Sequence, residues 1–262
     1  MKSTIKNLII VVVVILLVVF GYYALKGKTL KSDSDQVKSL YSYLGSNDLS
    51  VCNGLFIYDD KEISNKDLTE ENKRCISYSL INENDISKLK VEAESKKDYC
   101  NINDDISFAV DDKDNNMCNI TRFDVKTIKD NYKKIYGKEL EELNDFNPDS
   151  RTICKSDGEY YYCGFLEEFT VIVGSEPKVY RSIDVVKDKN DSIEIYDYFI
   201  KMINDDCYYN YVTTTKNEKC SAKYNKDDVS FSFLRKYGTK YKHTFVKGED
   251  NNYHWSKSEP IK

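Results

Sequence analysis

The chain has 262 residues, 44 acidic against 39 basic side chains and a formal net charge of −5, and it lacks the sustained Lys and Arg stripe that nucleic-acid phosphates require, so no nucleic-acid partner is expected. Its ten glycines form no phosphate-cradling loop, and its eight cysteines and two histidines show no zinc-ligand spacing, so neither a cofactor nor a metal is expected. Hydrophobic residues make up 40%, enough for one large domain or two small ones beyond a short anchor.

The run LIIVVVVILLVVFGYYAL, Leu8 to Leu25, contains no charge and is bracketed by Lys2 and Lys6 before it and Lys26 and Lys28 after it. A bilayer core of about 30 Å needs roughly 20 apolar helical residues, whereas a cleavable signal core has about 7 to 15, so this run predicts a single-pass transmembrane helix acting as a signal-anchor. Flanking lysines on both sides leave orientation open. The cysteines decide it: Cys52, Cys75, Cys100, Cys118, Cys154, Cys163, Cys207 and Cys220 all follow the anchor, and an even number scattered through a tethered region predicts disulfides in an oxidising space. The cell membrane is therefore the expected location, with the C-terminal region extracytoplasmic. Residues 1–31 read as tail, anchor and start of a stalk.

Residues 32–120 read as a helical and irregular lobe. KGKTLKSDSDQ, residues 26–36, is polar and reads as stalk. Val37, Leu40, Tyr41 and Leu44 recur at helical spacing before Gly45, and VCNGLFIY at 51–58 reads as a short strand. Asp67 and Glu70 have capping-box spacing ahead of Leu68, Cys75, Ile76, Ser79 and Leu80, which predicts a helix over 67–81. The interval 82–119 is rich in acids, lysines and asparagines, with one apolar patch at 106–110. Within it Asp112, Asp114 and Asn116 match the first, third and fifth positions of a calcium loop, but Met117 stands where glycine is needed and Phe123 where the closing glutamate belongs, so the segment reads as a solvated loop.

Residues 121–262 read as a helix plus an antiparallel sheet, which makes the fold class α+β. Val125, Ile128, Tyr132, Ile135 and Tyr136 share a helical face that ends at Gly137. TICKSDGEYYYCGF and KVYRSIDVVKDKNDSIEIYDYFI read as hairpins, CYYNYVTTTKNEKC keeps the β bias, and KYKHTFVKGEDNNYHWSKSE predicts a terminal hairpin. A turn centred between Gly158 and Glu159 places Cys154 opposite Cys163. Sequence proximity then pairs Cys52 with Cys75, Cys100 with Cys118, and Cys207 with Cys220.

The terminal hairpin, Tyr241 to Trp255 with its Gly-Glu-Asp-Asn turn, is similar to the last strand pair of NTF2-like and cystatin-like domains, in which a helix packs into a curved antiparallel sheet. Together with the anchor and the helix ending in Tyr-Gly, it resembles anchored surface proteins of low-GC Gram-positive bacteria. The resemblance carries no functional residue.

For the histidines, pairing Phe245 with Tyr253 would place His243 opposite Trp255 and His254 opposite Thr244, on different faces of the sheet. That predicts a packed His243, an exposed His254 and no shared site. No Ser-His-Asp or Cys-His arrangement is indicated, no catalytic residue is assigned, and the 44 acids leave a two-carboxylate site to the tertiary structure. Tyr160 to Tyr162 with Tyr208, Tyr209 and Tyr211 suggest an aromatic platform, although strand alternation turns about half of such clusters inward. Tyr161, Tyr209, His243 and Trp255 are the candidate binding surface. The expected function is a non-catalytic surface domain for a protein or glycan ligand; the alternatives are an envelope-assembly or sensory component working with a membrane partner, and an anchored hydrolase.

Overall fold

The computed structural model describes residues 15, 28–45, 52, 57–95, 99–149, 151–166, 178–203, 206–209, 218–219 and 229–261. The expected anchor at 8–25 lies outside the described residues except for Ile15, and among the described residues no helix is long and apolar enough to cross a membrane. Most of the strand expected at 51–58 also lies outside them.

The architecture is α+β with mostly antiparallel sheets. In chain order the elements begin with β1 (Lys28–Leu30), α1 (Asp35–Ser42), β2 (Ile63–Ser64), α2 (Glu70–Tyr78), β3 (Ser87–Glu92), β4 (Tyr99–Asn101), β5 (Ser107–Ala109), β6 (Met117–Asp124) and α3 (Val125–Tyr136). They continue with β7 (Thr152–Ser156), β8 (Tyr160–Phe165), β9 (Lys178–Asp188), β10 (Ser192–Ile203), β11 (Asp206–Tyr209), β12 (Glu218–Lys219), α4 (Phe231–Tyr237), β13 (Thr239–Lys247) and β14 (Tyr253–Ile261). The large sheet runs β1-β9-β10-β13-β14-β2, with β11 paired to β10 and β12 to β11; β3-β6-β8-β7 form a second sheet and β4-β5 a third.

Local chemistry accounts for the helix limits. Ser34 caps α1 by accepting from Val37 N–H, and Gly45 follows in the left-handed region at φ 87°. α2 starts later than the spacing predicts, because Thr69 rather than Asp67 accepts from the N–H of Asn72, while the Asp67 carboxylate accepts from the Ser64 amide and hydroxyl. α3 buries Val125, Ile128, Tyr132, Ile135 and Tyr136 and ends at left-handed Gly137, as its pattern predicts.

Three expectations change. Lys28–Leu30 is not stalk but an edge strand on β9, with Leu30 opposite Val186. The interval 82–119 holds β3, β4 and β5, and the boundary at 120/121 falls inside β6, so the chain on its two sides shares a sheet. Leu89 and Val91 alternate with Lys88, Lys90 and Glu92 on β3, a strand pattern too short to stand out among charged neighbours. The main core likewise joins Val37, Leu40 and Tyr58 to Ile128, Ile195, Phe245 and Trp255.

Three cysteine pairs are bonded as proximity predicts: Cys52–Cys75, Cys100–Cys118 and Cys154–Cys163, with Cα separations of 4.3, 6.1 and 4.0 Å. Cys154 faces Cys163 across β7 and β8. Cys100–Cys118 lies in a second core with Phe108, Ile120 and Tyr162. Cys220 lies outside the described residues, and the Cys207 side chain does too, so the fourth pair falls there.

Candidate functional site

Strand alternation and two register shifts assemble a polar cluster under the large sheet. On β10, Ile193, Ile195, Asp197 and Phe199 point inward, and on β13 Tyr241, His243 and Phe245 do the same; Asp197 and His243 are fully buried. Opposite them β14 pairs Phe245 with Trp255 but Thr244 with Lys257, so Ser256 is an extra residue. That shift reverses the alternation, and Trp255 and Ser258, three positions apart, both face the core. The carbonyl of the extra Ser256 accepts from Asn65 N–H beside β2.

The register differs from the Phe245–Tyr253 pairing expected from sequence. Asn251 adopts φ 63°, and Gly248 N–H donates to Asn252 C=O, so the loop is the three residues Glu249, Asp250 and Asn251. This places Lys247 opposite Tyr253, Val246 opposite His254 and His243 opposite Ser258.

In the cluster His243 Nε2 is 3.0 Å from Asp197 Oδ1, and His243 Nδ1 is 2.6 Å from Ser258 Oγ. Trp255 Nε1–H donates to the same Oγ at 2.9 Å. On its other oxygen Asp197 accepts from the Tyr58 hydroxyl at 2.6 Å and the Tyr41 hydroxyl at 2.8 Å. Arg181 donates to Tyr58 Oη at 3.2 Å, to Leu44 C=O at 3.1 Å and to Gly45 C=O. With the ring proton on Nε2 and the Ser258 hydroxyl donating to Nδ1, each of these groups has a partner of the right kind.

Burial alone would push the Asp197 carboxyl up, but His243, Tyr58 and Arg181 outweigh it and hold the group below the ordinary carboxylate range. Burial, followed by the Asp197 charge, pushes the Tyr58 and Tyr41 phenols well above theirs.

The order Ser258–His243–Asp197 is that of a hydrolytic triad, which the sequence did not indicate because the residues lie on three strands. Its setting is that of a core network. Asp197, His243 and Ser258 are all 0% exposed, and the Ser258 oxygen that would attack a substrate already accepts from Trp255. A nucleophile must be within reach of the bond it attacks, and Tyr58 stacks 4.3 Å from Phe199 and packs edge-on to His243 at 5.0 Å, sealing that side. No known protein family, curated protein or solved structure matches this chain. Nothing therefore assigns it to a catalytic family.

An open site lies elsewhere, where α1, α3 and the β13–β14 turn meet. A cleft of about 470 Å³ is lined by Gln36, Leu40 and Tyr43 from α1 and the residues just after it, Asp130, Lys133 and Lys134 from α3, and Asp250 to His254 from the hairpin. Tyr43 rests on Phe245 at 6.3 Å between ring centres and links this floor to the core.

The residues singled out from sequence divide accordingly. Tyr161, His243 and Trp255 are 0%, 0% and 3% exposed and belong to the core rather than to a binding surface; the Tyr209 side chain is outside the described residues. His254 is not exposed: its side chain keeps 11% of its area open and bonds to Lys134 C=O and Asp250. Met117 pairs with Asp112 as a bridge, and the Asp112 carboxylate accepts from Asn115, so the calcium-like segment is a turn into β6. Sequence reasoning missed the cleft because its walls are separated by roughly 90 to 210 positions, and no local signal links them.

Proposed function

We propose that this chain is a single-pass membrane-anchored protein whose extracytoplasmic domain is a non-catalytic binding module, with its ligand seated in the cleft between α1, α3 and the β13–β14 turn. The cleft carries the proposal: at about 470 Å³ it falls in the size range of small-ligand sites. Its wall combines the amides of Gln36, Asn251 and Asn252 with two carboxylates and two ammonium groups, over a floor of Leu40 and Tyr43. Planar donors and acceptors beside an aromatic ring suit a ligand with many hydroxyls, and Asp130 and Asp250 set against Lys133, Lys134 and the His254 ring leave only a small net charge, which suits a neutral one. A short oligosaccharide meets both conditions.

The uncharged Leu8 to Leu25 run supports the anchor, and the three disulfides support an oxidising compartment. The enclosure of Ser258 and His243 supports a non-catalytic role. The test is titration of the full-length chain in lipid nanodiscs with chitotriose and cellotriose, followed by calorimetry. Saturable binding weakened at least tenfold by Gln36→Ala combined with Lys134→Ala is expected, since both side chains are exposed and the fold does not depend on them. Equal binding by the double variant removes the cleft from consideration, and hydrolysis of either sugar that is lost in Ser258→Ala overturns the non-catalytic reading.

A further inference from the structure

His254, in the wall of the cleft, is held through both ring nitrogens. Nδ1 is 2.9 Å from Lys134 C=O, in the last turn of α3, and Nε2 is 3.0 Å from Asp250 Oδ1 in the hairpin turn. A carbonyl oxygen and an ionised carboxylate only accept hydrogen bonds, so both contacts are made together only by a ring with a proton on each nitrogen. Asp250 is ionised here: donors from the Asn252 side chain and then His254 hold its carboxyl well below the usual range. The cation also faces the negative end of the α3 dipole.

Two glycines also stand close to the ring. A Cβ on Gly137 or on Gly248 would stand 2.8 Å from His254 Cδ2. Gly137 needs to be glycine for its left-handed φ of 67° as well, but Gly248 has no such backbone requirement, and the close approach of the imidazole together with the Asp250 carboxylate, 2.9 Å from such a Cβ, is what excludes a side chain there. Helix end and turn are both shaped around this ring.

We propose that His254 is a proton-operated latch between the β13–β14 turn and the C-terminal end of α3, closed when the ring is doubly protonated and released when it loses one proton. The neutral ring keeps its proton on Nε2, against the carboxylate, because a lone pair facing a full negative charge is the costlier arrangement. Nδ1 then presents a lone pair to Lys134 C=O, and the one bond joining hairpin to helix through this ring is lost. The charged and titratable groups lining the same space are Asp250 and Tyr253 on the hairpin, Asp130, Lys133 and Lys134 on α3, and Tyr43 beside α1; the Lys133 ammonium is paired with Glu139 and the Asp130 carboxylate with Lys126. Turn and helix both line the cleft, so release alters its shape. This consequence, though not the latch itself, rests on the cleft being the binding site.

The test is a pH titration of the ligand-free full-length chain in non-ionic detergent micelles, reading the ring 15N shifts of His254 and the amide resonances of Gly137 and Gly248. His254→Gln separates its signals from those of His243. At low pH both His254 nitrogens are expected to carry protons, and as pH rises the two glycine amides should follow the ring along one curve that is flat in His254→Gln. A ring that is already neutral at pH 5, or one that titrates while both amides stay still, overturns the latch; the wild-type measurement alone is sufficient for this. If ring and amides move together while chitotriose affinity stays constant across the same range, the latch stands and the assignment of the cleft falls.

Discussion

His243 and Asp197, 46 positions apart, meet at 3.0 Å with both side chains fully buried, and through them three strands of the large sheet are tied to α1 and to Tyr58. The pair carries charge and hydrogen-bonding capacity into an aromatic core where neither has water as a substitute partner. Its energetic weight lies in what would be stranded if one member were removed.

Asp197→Ala leaves His243, Tyr58 and Tyr41 without their shared acceptor and Arg181 without the negative charge near it, and is expected to cost about 3–5 kcal/mol, as for other buried pairs broken on one side. Ser258→Ala removes the partner of both Trp255 Nε1 and His243 Nδ1 and should cost about 1–3 kcal/mol. Urea unfolding followed through Trp255, the single tryptophan, measures both; two near-neutral results would mean the network is dispensable to the fold.

The pH dependence of stability follows from the same group. Because the fold holds the Asp197 carboxyl below its ordinary value, its contribution is complete above about pH 4 and is lost as pH falls through the lower folded value. The stability gap between wild type and Asp197→Asn should therefore be constant near neutrality and narrow in acid. A gap unchanged down to pH 2 would exclude the carboxylate charge as its source. On the alkaline side, the raised phenols of Tyr41 and Tyr58 contribute stability that is complete below about pH 10 and lost as pH rises through their folded values.

Opening Cys154–Cys163 by double substitution to Ser should destabilise the chain by about 2–4 kcal/mol, since it frees the loop that β7 and β8 close. A non-reducing peptide map is expected to return the three bonded pairs and to link Cys207 with Cys220. A map joining Cys154 to any other cysteine would contradict the register of that hairpin.

An epitope tag at Lys262 should be removed by protease added to intact cells or spheroplasts, with no need to open the membrane. Protection until lysis would place the cysteine-rich region in the cytoplasm and undo the proposed location.

Signals that depend on near neighbours were readable in the chain itself. The α3 stripe from Val125 to Tyr136 with Gly137 as its stop, the β7–β8 hairpin with Cys154 opposite Cys163, and the β9–β10 hairpin all follow from periodicity and turn chemistry within a few residues. The three short-range disulfides belong with them. Tertiary structure decided what depends on register and on distant partners. The extra Ser256 turns Ser258 toward His243, left-handed Asn251 shifts the terminal hairpin by two positions, and the turn it forms meets α3 to enclose His254 and the cleft. A strand changes the face it presents with each one-residue slip, and local composition does not fix that slip; packing of Trp255, Phe245 and Tyr58 in a shared core does.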